Sequence, residues 1–158
     1  MPVIELTTKV HAPIERIFDL ARSVELHMHF TAQTSEHAVA GVMSGLMALG
    51  DEVTWRARHF GVWQHLTSRI TMLERPFHFR DSMVRGAFRR FDHDHFFAQQ
   101  GEITVMRDVF DFRSPFGILG RAVDRFFLTD YMKRFLLTRC TVIKTVAETE
   151  QWRRYLSV

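Results

Sequence analysis

Two histidines, His93 and His95, stand one residue apart in the run Phe91-Asp92-His93-Asp94-His95-Phe96-Phe97. Side chains at i and i+2 of a strand point to one face, so both imidazoles share a side. Three kinds of chemistry suit them. Imidazoles with carboxylates hold zinc or iron, and Asp81 and Asp108 are the carboxylates that neighbouring strands can bring close. A histidine oriented by a carboxylate is a general base, and His93 with Asp108 fits that role. The third is a buried hydrogen-bonded network that anchors the polar group of a ligand. The third fits best, because buried polar groups need partners. No metal and no cofactor is expected on this reading. No catalytic residue is assigned either, since Cys140, the one cysteine, falls in a separate helical stretch. An enzyme is the lesser expectation.

Whether these side chains meet depends on strand register. From Asp51 to Phe112 the chain reads as strand after strand, broken at Phe60-Gly61, Glu74-Arg75-Pro76, Gly86 and Gln100-Gly101. Breaks this short predict antiparallel hairpins. Opposite charges then suggest the pairing: Arg90 opposite Asp111, Asp94 opposite Arg107, and Arg80 opposite Asp92. Such pairs contribute only about 0.2–1 kcal/mol each, so they serve as markers of the solvent face, which also carries Arg56, Arg58 and Arg69. The other face holds Val53, Trp55, Ala57 and His59, then Leu66, Ser68, Ile70 and Met72, then Phe79, Asp81 and Met83. The last two strands add Phe91, His93, His95 and Phe97, and Thr104, Met106, Asp108, Phe110 and Phe112. Five of these are not core material: His59, Asp81, His93, His95 and Asp108. In this register His93 lies directly opposite Asp108, with Asp81 beside Phe91 and one diagonal step from His93. The candidate ligand-binding set is therefore Trp55, His59, Phe79, Asp81, Phe91, His93, His95, Met106, Asp108 and Phe110.

The flanking elements must close over that face. Val3 to Val10 reads as a first strand. Pro13 suits the first turn of a helix, and Ile14, Ile17, Phe18 and Ala21 fall on one side of it. Ser23 is placed to cap a second short helix. A strand follows from about His37 to Met43. From Ile118 to about Glu148 there is no proline, which predicts one long helix. Its apolar residues form two sets, Leu119, Ala122, Val123 and Phe126 against Leu128, Met132, Phe135, Val142, Ile143 and Val146, about half a turn apart at 3.6 residues per turn. Either the helix breaks near Thr129-Asp130 or it is apolar on two sides, and a two-sided helix suits a homodimer or a mobile lid. The fold class is α+β, with an antiparallel sheet covering the long helix.

Composition narrows the function classes. The chain has 158 residues, 46% hydrophobic and 25% charged, which fits one domain over residues 1–158 with a sizeable core. A net charge of +3 without a clustered basic stripe argues against nucleic acid as a partner. Fifteen Phe against two Tyr indicate either a large core or a cavity lined by rings. No long uncharged apolar run is present, so no membrane span is expected. The opening Met1-Pro2-Val3-Ile4-Glu5 lacks the pattern of a secretory leader, and the cytoplasm is the expected compartment.

The order of elements, with particular residues, resembles the SRPBCC superfamily of START and birch-pollen-allergen-like proteins. Val10-His11-Ala12-Pro13 followed by Ile17-Phe18 is similar to its strand-to-helix entry. Gly50-Asp51-Glu52-Val53-Thr54-Trp55 followed by Gly61 resembles its second hairpin. Thr104 to Phe112, then Pro115-Phe116-Gly117 and the long helix, resembles its last strand and grip helix. The resemblance covers nearly the whole chain and implies a helix-grip fold with a cavity between sheet and helix. It further implies a small, largely hydrophobic partner: a lipid, a sterol or a polyketide-like molecule. Some members are cyclases or dehydratases, which would give His93 an acid–base role. A protein-interaction module is the remaining alternative.

Overall fold

Alternation builds the sheet. Strand β1 (Val3–Val10) buries Ile4, Leu6 and Val10 while its odd-numbered residues face solvent, the pattern of a sheet covered on one side. In the computed structural model, which describes residues 2–115, 117, 122 and 127–156, six further strands follow. They are β2 (His37–Gly41), β3 (Glu52–His59), β4 (Val62–Glu74), β5 (His78–Arg85), β6 (Arg90–Gln100) and β7 (Ile103–Arg113). All pair antiparallel in the order β1-β7-β6-β5-β4-β3-β2. Helix α1 (Ile14–Ala21) starts behind Pro13, which is its N-cap rather than its first helical residue. Helix α2 (Val24–Phe30) is capped by Ser23, whose hydroxyl accepts the Leu26 N–H. Helix α3 (Thr129–Ala147) packs on β1, α1 and α2. Together these elements make the expected helix-grip arrangement.

The two faces of the sheet divide largely as the sequence indicates. Val53, Trp55, Ile70, Phe79, Phe91, Phe110 and Phe112 are buried. One inner-face assignment fails. Met72 is 46% exposed, because a bulge between Ile70 and Met72 shifts the end of β4 by one residue and turns Leu73 inward instead.

The pairing within those faces also differs. The β6–β7 hairpin turns on Gly101-Glu102, with Gln100 opposite Ile103, and Gly101 takes the positive φ of 62° that this two-residue turn needs. That moves the register by two residues. Arg90 lies opposite Arg113 and Asp94 opposite Val109, and His95, not His93, lies opposite Asp108. The β5–β6 pairing is likewise displaced: Arg80 faces Asp94, and Asp81 faces His93 directly. A two-residue slip keeps every side chain on its face, so the inner polar residues stay together while their partners change. On the outer face Arg90 still reaches Asp111 diagonally, at 2.7 Å. Asp94 instead pairs with Arg80 and His78, and Arg107 with Glu5.

Helix α3 buries Leu136, Arg139, Cys140, Ile143 and Val146 along one stripe. The helix expected over 118–128 falls mainly outside the described residues, as do Leu119, Val123 and Phe126. Of that apolar set only Ala122 is described, and it is exposed. Among the described residues no helix is long and apolar enough to cross a membrane.

Candidate functional site

Between the concave face of the sheet and the helices lies a cavity of about 430 Å³. Its walls are mostly apolar. Eight of the ten sequence candidates line it: Trp55, His59, Phe79, Asp81, Phe91, His93, His95 and Phe110. Met106 and Asp108 do not. Both share the inner face of β7 but are sealed beneath the wall, at 0% and 1% exposed. For Met106 the placement means core packing. For Asp108 it means a supporting position behind the cavity surface.

The inner polar cluster is a product of the sheet. Asp81 on β5, His93 and His95 on β6 and Asp108 on β7 stand on neighbouring strands, and period-two alternation puts all four on one side. Asp108 is the hub. Its Oδ1 accepts a hydrogen bond from the Arg139 guanidinium at 2.8 Å and lies 2.7 Å from His95 Nδ1. The Cys140 thiol donates to Oδ2 at 3.4 Å. Burial raises the Asp108 carboxyl, but the Arg139 charge and the two histidines outweigh it and hold the group well below the usual range. Across the cluster, His95 Nε2 lies 2.9 Å from Asp81 Oδ1. The His95 ring is fixed further by stacking on Phe79, 4.2 Å between centroids.

His93 is different. Its Nε2 lies 3.2 Å from Asp108 Oδ1, and its Nδ1 3.9 Å from Asp81 Oδ1. Neither contact is a hydrogen bond: the first is misaligned, leaving Nε2 buried without a partner among the described residues, and the second is too long. Burial, helped by the neighbouring His95, pushes the His93 imidazole down to about 4. The ring is therefore neutral near pH 7. Asp81 is held below the ordinary carboxylate range: burial opposes this, but the His95 hydrogen bond and the Arg139 charge help to outweigh it. It keeps 22% of its side-chain surface open.

A second polar group lines the cavity where the β3–β4 hairpin tip meets α3. Glu36, 8% exposed, contacts His27 Nε2 and lies 4.0 Å from His59 Nε2. His59 Nδ1 and the Tyr131 hydroxyl are 2.6 Å apart. The His27 ring stacks on Trp55 at 4.0 Å. Over this end sit Phe60 and Phe127, each 57% exposed, with ring centroids 5.4 Å apart. Phe60 also touches Tyr131. These exposed rings line the same cavity and mark its mouth. Phe60 holds a positive φ of 52°, followed by Gly61 at 76°. A two-residue turn of this type favours Asn-Gly; a bulky aromatic in the left-handed region is a true outlier and is held there by its ring contacts.

Sequence reasoning missed Arg139, Glu36, His27 and Tyr131. Arg139 carried a signal, a charge inside the apolar stripe of Leu136, Cys140 and Ile143. The other three carried none. Cys140 is no nucleophile: burial, with the Asp108 carboxylate beside it, pushes its thiol up to about 12.

No protein-family model matches the sequence, and no curated protein matches it. Solved structures do match the fold. The chain is similar to TTHA0849 from Thermus thermophilus, with a TM-score of 0.70 and 16% identity over 92% of this chain and 99% of that one. It is similar to the major latex-like protein 151 of Panax ginseng, with a TM-score of 0.68 and 15% identity over 94% and 98%. A START superfamily protein from Mycobacterium smegmatis aligns with a TM-score of 0.68 and 12% identity over 92% and 97%. At these identities the likeness is one of fold: the chain has the helix-grip fold that these proteins share.

Proposed function

We propose that the protein binds a small, largely hydrophobic molecule of lipid, sterol or polyketide-like character in the cavity between sheet and α3. The observation that carries this is the cavity itself. At about 430 Å³ it falls in the size range of small-molecule sites, roughly 300–1,000 Å³, which combine apolar walls with a few placed polar groups. Trp55, Phe79, Phe91 and Phe110 supply apolar contact area. Asp81, His93 and His95 at one place, and His59 at another, give a ligand with a polar group something to bond. The fold likeness supports the same reading, since the START fold is built around such a space.

The test is native mass spectrometry of freshly purified protein, followed by titration with a fluorescent apolar probe and with fatty acids, sterols and aromatic polyketides. The protein is expected to carry or take up one molecule, with competition between probe and ligand. Ala57 is buried in the cavity wall. Ala57→Phe fills part of the space, so a folded variant should lose binding. A folded Ala57→Phe variant that binds every ligand as well as the parent removes the cavity from the account.

A further inference from the structure

At the inner cluster one carboxylate and two imidazoles converge on the cavity wall. Asp81 Oδ1 lies 2.9 Å from His95 Nε2 and 3.9 Å from His93 Nδ1, and one ligand atom from each residue falls within 4.8 Å of the others. Metal–nitrogen and metal–oxygen bonds of about 2.0–2.2 Å place adjacent ligand atoms roughly 3–3.5 Å apart, so this spacing brackets what a shared cation needs. The outer nitrogens of both rings face a single carboxylate. His95 Nδ1 is 2.7 Å from Asp108 Oδ1 and His93 Nε2 is 3.2 Å from the same oxygen. A carboxylate behind a metal-bound imidazole fixes its tautomer and orients its ring. His95 Nε2 and Asp81 Oδ1 share a hydrogen bond at 2.9 Å, and a cation seated between them would take the place of that proton.

We propose that Asp81 Oδ1, His93 Nδ1 and His95 Nε2 form a three-ligand site for a divalent first-row transition-metal cation of the Zn²⁺, Fe²⁺ or Co²⁺ class. Two imidazoles and one carboxylate suit these ions. The buried His93 Nε2, without a hydrogen-bond partner among the described residues, gains one after a small ring rotation that aligns Nε2–H with Asp108. Arg139, paired with Asp108, balances the outer carboxylate, so the cation is left with the charge of Asp81 alone. All three ligand residues line the cavity, which leaves the remaining coordination positions to water or to a polar group of a bound molecule. The site reaches beyond the apolar-ligand reading: either can stand when the other falls.

The experiment uses the full chain stripped of metal and titrated with Co²⁺ and Zn²⁺. One equivalent should bind, Co²⁺ should acquire ligand-field absorption of mixed nitrogen and oxygen coordination, and the melting temperature should rise with either ion. Asp81→Asn and His93→Gln should each weaken binding at least tenfold. Asp108→Asn, at a positioning residue, should weaken it by roughly 10–100-fold. His37→Gln, on the exposed strand β2, should leave it unchanged. Because cluster variants are able to unfold, the deciding measurement is made on the parent protein. Bound Co²⁺ should shift and broaden the ring resonances of His93 and His95 first among the nine histidines. Absence of saturable one-to-one binding overturns the proposal, as does Co²⁺ that perturbs other histidines first. Apolar-probe uptake in the stripped protein reports on the cavity independently of either outcome.

Discussion

The two polar regions of the cavity are built in opposite ways. The inner one takes Asp81, His93, His95 and Asp108 from three adjacent strands, so the hydrogen-bonded ladder sets their spacing before any side chain packs. The outer one takes His27 from α2, Glu36 from the segment before β2, His59 from the end of β3 and Tyr131 from α3. Nothing local brings those four together; only the completed fold does. The inner cluster is sealed around a buried Asp108–Arg139 pair, whereas the mouth is capped by exposed rings. A site on a sheet is stiff by construction. A site assembled from element ends can adjust, which suits an entrance.

The largest expected effect tests that stiffness. Arg139→Leu leaves Asp108 ionised and short of its strongest partner, and removing one member of a buried ion pair costs about 3–5 kcal/mol. Urea denaturation should show a loss of that order. Glu36→Gln at the mouth keeps its shape and exchanges a charged acceptor for a neutral one, at a cost of about 1 kcal/mol. Equal losses in the two variants would erase the contrast between a rigid interior and an adjustable entrance.

The same contrast explains what the sequence made legible. Face membership in β5, β6 and β7 follows from alternation alone, so the sequence by itself groups Asp81, His93, His95 and Asp108. Which of them touch could not be read, because a slip by two residues preserves the faces. The charge pairs could not correct it either, since Arg90 reaches both Asp92 and Asp111. A bulge, invisible in composition, turned Met72 out. Arg139 was detectable as a charge in an apolar stripe. Glu36 and Tyr131 were not: each has an ordinary local setting, and only tertiary packing gives it a partner.

An intermediate effect concerns entry. Phe60 spends conformational energy to hold its ring against Phe127 and Tyr131 at a positive φ of 52°, and left-handed backbone costs a non-glycine residue roughly 1–2 kcal/mol. Phe60→Gly removes both the strain and the ring, so the fold should keep its stability while the entrance loses a cover. Stopped-flow uptake of an apolar fluorescent probe should accelerate roughly tenfold, about 1.4 kcal/mol of barrier, with equilibrium affinity changed far less. An unchanged rate would place the entrance elsewhere on the cavity wall.

The smallest effect is a pH dependence confined to the mouth. Burial holds the His59 imidazole below its ordinary 6.5, and Glu36 only partly opposes this. Glu36 and Tyr131 are the titratable groups facing it, with His27 beyond Glu36. The unfolded chain therefore takes up the His59 proton before the folded one does. Stability from this residue is complete above about 6.5 and declines as pH falls toward the lower folded value. Carboxylates depressed in the folded state, such as Asp19 and Asp94, lose their contribution only below 3.8 and stay out of this window. With the folded His93 ring held down at about 4, the unfolded chain also takes up the His93 proton inside this window, so the informative quantity is the difference between the parent and His59→Gln. Between about pH 7.5 and about pH 5 the parent should lose more stability than the variant, by less than about 1 kcal/mol, measured by urea denaturation at each pH. If the parent instead loses less, the Glu36 carboxylate dominates and the mouth closes around an imidazolium–carboxylate pair. The entrance would then be tied by charge like the interior, and the difference between the two regions would lie in their strand placement alone.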